Sequence, residues 1–212
     1  METRMHEISS AHNNDIKISV IPGHFATNHS HVNYYVDLTK IKTNQKAAKE
    51  AGKELAEKYS ASTSIDTIVC LEGTEILAAF IANALTQHGA GMNVGKEINI
   101  ITPELNMNNQ MIFRDNIQSM VYNKQILLLM SSVSTGKTIR RSVDCLRYYN
   151  GKLAGVAAIF SAVDEVDGAK ITSLFKEQDI PDYETELPSH CQMCAAGRRV
   201  EAIINSFGYS KI

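Results

Sequence analysis

The stretch that most constrains this chain is residues 124–143, KQILLLMSSVSTGKTIRRSV. Five apolar residues in a row, Ile126 to Met130, are too few for a buried helix. They have the length of a strand covered on both faces. A turn of small residues follows at once, Ser131 to Thr138, and an amphipathic segment begins at Ile139. A turn rich in Ser, Thr and Gly leaves backbone N–H groups free and folds tightly enough to aim several at one point. The helix behind it adds its own unpaired N–H groups and the positive end of its dipole. Strand, hydroxyl-rich turn and helix start therefore make an anion site, most naturally for a phosphate. The plain alternative is a turn whose polar residues only cap the helix. Gly136-Lys137-Thr138 is compatible with a triphosphate P-loop in part, but that loop needs a glycine five residues before the Gly-Lys pair. Position 131 is Ser.

The rest of the chain alternates in the same way. Residues 1–15 are polar and are expected to lie loosely or to pack late. Ile16 to Ile21 reads as a short strand ended by Pro22-Gly23, and Tyr34 to Leu38 as another. Thr43 or Asn44 can cap a helix from Gln45 to Tyr59 with Ala47, Ala48, Ala51, Leu55 and Ala56 inward. Asp66 to Leu71 is a second buried strand, Glu72-Gly73-Thr74-Glu75 its turn, and Ile76 to Gln87 an apolar helix. A loop is expected from Gly89 to Gly95 and a strand from Ile98 to Ile101, stopped by Pro103. Residues 104–123 read as a long mobile loop, with room for a hairpin. Helix 139–149 and strand 153–160 follow the central turn. A short strand or helix reaches Phe175, and a final helix is expected over Ala195–Phe207. This pattern predicts an α/β fold with a mostly parallel twisted sheet flanked by helices. Ligands of such sheets bind beyond the carboxyl ends of the strands, where turns 72–75 and 131–138 both fall.

Composition narrows the function. A net charge of −2 over 212 residues gives no basic footprint for nucleic acid. No apolar run approaches a membrane span, and METRMHEISSAHNND lacks a signal-peptide core, so a cytoplasmic protein is expected. Four cysteines, at 70, 145, 191 and 194, do not make a disulfide scaffold in a chain of this length. Cys191-Gln192-Met193-Cys194 is half of a zinc site or a redox pair. His190 is the candidate third ligand, with the fourth from elsewhere in the chain or from a dimer partner; two unligated thiols in a tail are the alternative. His24, His29 and His31 lie close in sequence, but no cysteine or carboxylate falls at a supporting spacing. They are read as hydrogen-bonding or surface groups.

The order and spacing of these parts resemble the type I phosphoribosyltransferases, closest to the orotate enzymes, over about residues 20–165. The resemblance rests on the strand at 124–129, the loop Ser134-Thr135-Gly136-Lys137-Thr138 and the gap-free continuation to Val156. It rests too on Phe25 to Asp37 as an N-terminal hood and on Asp66 to Ala79 as a pyrophosphate strand and loop. It implies three regions: 1–40, an arm and hood; 41–180, an α/β core; and 181–212, a CxxC tail with a helix. It also implies that the loop amides of residues 134–138 hold the 5-phosphate of phosphoribosyl diphosphate (PRPP) or a nucleotide. Met130, Ser131 and Ser132 then face the ribose, and Glu72, Gly73, Thr74 and Glu75 form the pyrophosphate loop. A homodimer and magnesium are implied as well. The departures are chemical. The family's acidic pair on the central strand falls on Met130 and Ser131 or on Ser131 and Ser132, and the pyrophosphate-loop lysine falls on Thr74. Residues 97–123 contain no Lys and one Arg, Arg114, as the candidate catalytic cation. Glu72 and Glu75 are candidate magnesium ligands in place of the lost pair. Two readings follow: a transferase moving phosphoribose to a nucleobase, or a catalytically impaired protein that binds a nucleotide or phosphate ester and reports it to a partner.

Overall fold

The computed structural model describes residues 1–87 and 91–212; the first residues of the loop expected from Gly89 lie outside them. The elements in chain order are β1 (His6–Ser9), β2 (Lys17–Ala26), β3 (His31–Asp37), α1 (Thr39–Thr43), α2 (Gln45–Ser60), β4 (Thr67–Cys70), α3 (Glu75–Gln87) and β5 (Asn99–Ile101). Then follow β6 (Glu104–Leu105), β7 (Met111–Ile112), α4 (Asp115–Gln118), β8 (Gln125–Val133), α5 (Lys137–Tyr148), β9 (Lys152–Ser161), β10 (Glu165–Val166) and β11 (Ala169–Lys176). The tail holds β12 (Thr185–Glu186), α6 (Gln192–Ala195), β13 (Ala202–Asn205) and β14 (Gly208–Lys211).

The central sheet has the order β10-β11-β9-β8-β4-β5 and is parallel except for the β10–β11 hairpin. The apolar run of β8 serves both of its faces, as a strand with period two must when helices cover both sides. Leu127 and Leu129 enter one core with Leu55 of α2 and Leu77 and Ile81 of α3. Ile126, Leu128 and Met130 enter the other with Ile139 and Leu146 of α5. Asn44 caps α2 as expected, its side chain accepting the Ala47 N–H at 3.1 Å.

A second sheet, β12-β3-β2-β13-β14 with β1 also on β2, forms the hood. Here the structure corrects several expectations. Of the two readings of the first segment the structure takes the packed one: residues 6–9 pair antiparallel with β2. β2 runs on past Pro22-Gly23 to Ala26, because a register shift between Pro22 and Phe25 absorbs the break. The helix expected over 195–207 is the short α6 and then the β13–β14 hairpin. Gly197 (φ +72°) turns the chain out of helix, and β13 gains a parallel partner in β2, with Ala202 opposite Phe25. The 104–123 segment is more than the mobile loop expected, and the hairpin it had room for is there. It holds the β6–β7 hairpin and α4, and sinks Met111, Phe113 and Val121 into the second core. Among the described residues no helix is long and apolar enough to cross a membrane.

Candidate functional site

The two turns lie side by side because β4 and β8 are parallel neighbours, Cys70 opposite Leu129. The central turn keeps its backbone donors free. Among the described residues no hydrogen bond engages the N–H groups of Ser134, Thr135, Gly136, Lys137 or Thr138, and no side chain caps α5. Gly136 makes the turn possible. Its φ is +74°, and it packs so closely under Val166 that a Cβ would stand 2.3 Å from Val166 Cγ2. Gly136 is thus buried while its neighbours' amides stay available: Ser134, Lys137 and Thr138 are exposed and Thr135 is half-buried.

Glu72 does what no residue of β8 can. It adopts φ +62°, and Gly73 follows at +77°. Two successive left-handed residues turn the Glu72 side chain back over the end of β8. There its Oε2 accepts the Ser131 N–H at 3.2 Å, the Ser131 hydroxyl at 2.6 Å and the Ser132 N–H at 3.3 Å. A non-glycine residue at positive φ costs about 1–3 kcal/mol, which three charge-assisted bonds offset. A carboxylate therefore stands at the strand end although Met130, Ser131 and Ser132 carry none.

Between this strand end and the hood opens a cavity of about 230 Å³. Residues 134–138 form one end. Tyr34, Phe160 and Tyr183 give an aromatic wall, with Asn28 and His29 from the β2–β3 connection and Asn205 and Ser206 from the tail hairpin. Among the described residues Glu72 is the one carboxylate that lines it, and Lys137 and His29 are the basic side chains. Tyr35 is 5% exposed and belongs to the hood core, where burial, with Asp37 and Tyr209 nearby, pushes its phenol up to about 12. Lys42 braces the site from behind. Its Nζ donates to the Glu72 carbonyl at 3.2 Å and to the Ser206 carbonyl. Burial draws its pKa down, against the carboxylates of Glu72, Asp37 and Glu75. A larger cavity, about 710 Å³, lies between α5 and the β9–β11 side of the sheet, and none of residues 134–138 lines it.

The other sequence candidates separate. Met130, 1% exposed, belongs to the second core and gives the cavity only its floor; Ser131 is as buried, and Ser132 lines the cavity. Thr74 is fully buried with its hydroxyl on the Leu71 carbonyl at 2.9 Å, so its side chain is a strut rather than a ligand group. Glu75 is exposed, accepts the Thr102 hydroxyl at 2.8 Å and does not line the cavity. Arg114 pairs with Glu104 across its own hairpin segment, Nε to Oε2 at 2.8 Å, and also stands outside the cavity.

A second cluster lies under the hood. Ligand atoms of His24, His31, Cys191 and Cys194 all fall within 4.8 Å of one another, close enough to hold a metal ion. His190, the ligand expected from the sequence, is not among them; its Nδ1 lies 3.2 Å from Ser189 Oγ. The two histidines set aside for want of a nearby cysteine meet cysteines more than 160 positions away. Antiparallel β2 and β3 bring the imidazoles together, and the tail carries the thiols to them.

Neither a family model nor a curated protein sequence matches the chain. Solved structures do match. A phosphoribosyltransferase from Corynebacterium diphtheriae is 19% identical with a TM-score of 0.51, over 76% of this chain and 89% of that one. Orotate phosphoribosyltransferase of Mycobacterium tuberculosis H37Rv, solved with Fe(III) dicitrate, is 17% identical with a TM-score of 0.51, over 76% and 91%. UMP synthase of Leishmania donovani is 16% identical with a TM-score of 0.54, over 75% of this chain and 34% of that one. The likeness is one of fold: the chain folds as the type I phosphoribosyltransferases do.

Proposed function

We propose that the cavity binds the ribose 5-phosphate portion of PRPP or of a nucleotide. One observation carries this reading: a run of unengaged amides at the start of α5 lines a cavity that Tyr34, Phe160 and Tyr183 also line. An anion suits the first and a base the second. The cavity is smaller than a typical drug-sized pocket, which suits a sugar phosphate with its base reaching toward Tyr34 and Tyr183. Glu72 takes the ribose hydroxyls through Oε1, since Oε2 is occupied by Ser131 and Ser132. Magnesium needs only one or two protein carboxylates beside phosphate oxygens, and Glu72 is the carboxylate in place for it; Glu75 is held away on Thr102.

Transfer of phosphoribose to a nucleobase is the activity the fold suggests. Its step would break the bond between ribose C1 and diphosphate, and the departing diphosphate needs cations. The cavity offers Lys137 and His29, while Arg114 is neutralised by Glu104. Nucleotide or phosphate-ester binding with slow or absent turnover is therefore the reading this site favours, in a cytoplasmic homodimer. Titration calorimetry with ribose 5-phosphate, PRPP and nucleoside monophosphates tests it, alongside pyrophosphate release with magnesium and a panel of bases. Saturable binding with release at background is expected. Absence of binding to every phosphate ester would sink the reading, and brisk release would turn it into a transferase.

A further inference from the structure

We propose that His24, His31, Cys191 and Cys194 form a structural zinc site that clasps the C-terminal tail to the hood. A four-coordinate zinc with Zn–S of about 2.3 Å and Zn–N of about 2.0–2.1 Å implies tetrahedron edges of about 3.3 Å between nitrogens and about 3.5 Å between nitrogen and sulfur. The observed separations are 3.0 Å for His24 Nε2 to His31 Nδ1 and 3.5 Å for His24 Nε2 to Cys191 Sγ. Cys194 Sγ lies 3.7 Å from His24 Nε2 and 3.3 Å from His31 Nδ1. Four of the six separations thus stand close to the edges of a zinc tetrahedron, and the other two are within 4.8 Å.

The surroundings support a ligand role. His24 is 1% exposed, and its Nδ1 donates to the Arg198 carbonyl at 2.9 Å. That bond places the ring proton on Nδ1 and turns the Nε2 lone pair to the cluster, as the outer partner of a zinc-bound histidine does. The thiols come from a tight turn. Ala195 N–H donates to the Cys191 carbonyl at 3.0 Å and Gly197 N–H to the Cys194 carbonyl at 2.9 Å, which holds both sulfurs on one side of α6. Two thiolates and two imidazoles select zinc over magnesium or calcium, and four protein ligands leave no open position for chemistry. None of the four lines the phosphate cavity, so the site holds structure.

Metal analysis of protein purified without chelator and without a metal-affinity column decides this. One zinc per chain is expected, lost in Cys194→Ser and in His31→Ala and kept in His190→Ala. Cobalt in place of zinc should give the intense visible absorption of a four-coordinate ion together with a thiolate charge-transfer band. A protein that carries no zinc, takes up none on dialysis and has the same melting temperature with and without added zinc would overturn the proposal. So would a Cys191–Cys194 disulfide in the protein as isolated, or a weak six-coordinate cobalt spectrum. Every result that would overturn the proposal is read on the unmutated chain, so a variant that fails to fold does not blur the answer.

Discussion

Removing the Glu72 carboxylate leaves the Ser131 and Ser132 amides and the Ser131 hydroxyl without an acceptor. Glu72→Ala should therefore cost about 1–3 kcal/mol in urea unfolding. Glu72→Gln keeps an acceptor oxygen and should fold normally while weakening sugar-phosphate binding about tenfold, which calorimetry would read. At Gly136 a methyl group meets both a left-handed backbone and Val166. Gly136→Ala should cost about 1–3 kcal/mol. Adding Val166→Ala should return the part due to the clash but not the part due to φ, a difference a double-mutant cycle resolves. The turn with its free amides was legible because its chemistry is local: Ser, Thr and Gly after an apolar strand. The part played by Glu72 was not. It depends on two consecutive positive-φ residues and on which strand lies beside β4, and neither is written in a window of a few residues.

At the scale of elements, the alternation of β8, α5 and β9 was readable from apolar runs and a cap. The tail was not. Residues 202–205 carry Ile203 and Ile204 among polar neighbours, a pattern that fits helix or strand equally, and a parallel partner far back in the chain decides for strand. The ion pair of Arg4 and Glu201 binds the first segment to this hairpin, with Arg4 Nη1 donating to Glu201 Oε1 at 3.2 Å. That bond holds the Glu201 carboxyl below its ordinary value of 4.5, against the opposing effect of burial. A carboxylate with a lowered folded-state pKa stabilises fully above 4.5 and loses that contribution as pH falls through the folded value. Arg4→Ala should therefore lower stability at pH 7 by up to about 1 kcal/mol, and the gap from the unmutated protein should close as the solution is acidified below pH 4.5 in urea titrations. The clasp has its own consequence for these elements. His24 and His31 flank the connection that carries Asn28 and His29 into the cavity. Stripping zinc with a chelator should lower the melting temperature and weaken ribose 5-phosphate binding several-fold, while Glu72→Gln should weaken binding with the zinc content unchanged.

Across the whole molecule the two sheets use the chain differently. The parallel sheet draws its strands from residues 67–176, whereas the hood joins residues 6–37 to residues 185–211. Deleting the chain from residue 201 onward should leave the parallel sheet folded but expose Phe25 and the β2 edge, seen as faster amide exchange in β2 and binding of a hydrophobic dye. The pairing of Ala202 with Phe25 also sets an order of events during synthesis. An emerging polypeptide can pair β1, β2 and β3 and assemble the parallel sheet before residue 202 is made, but the Phe25 end of β2 must wait for β13. Throughout that interval the Phe25 end of β2, beyond the part that β1 covers, presents an open edge of the kind that recruits other nascent chains. A ribosome stalled before residue 202 would therefore carry this protein with that edge uncovered.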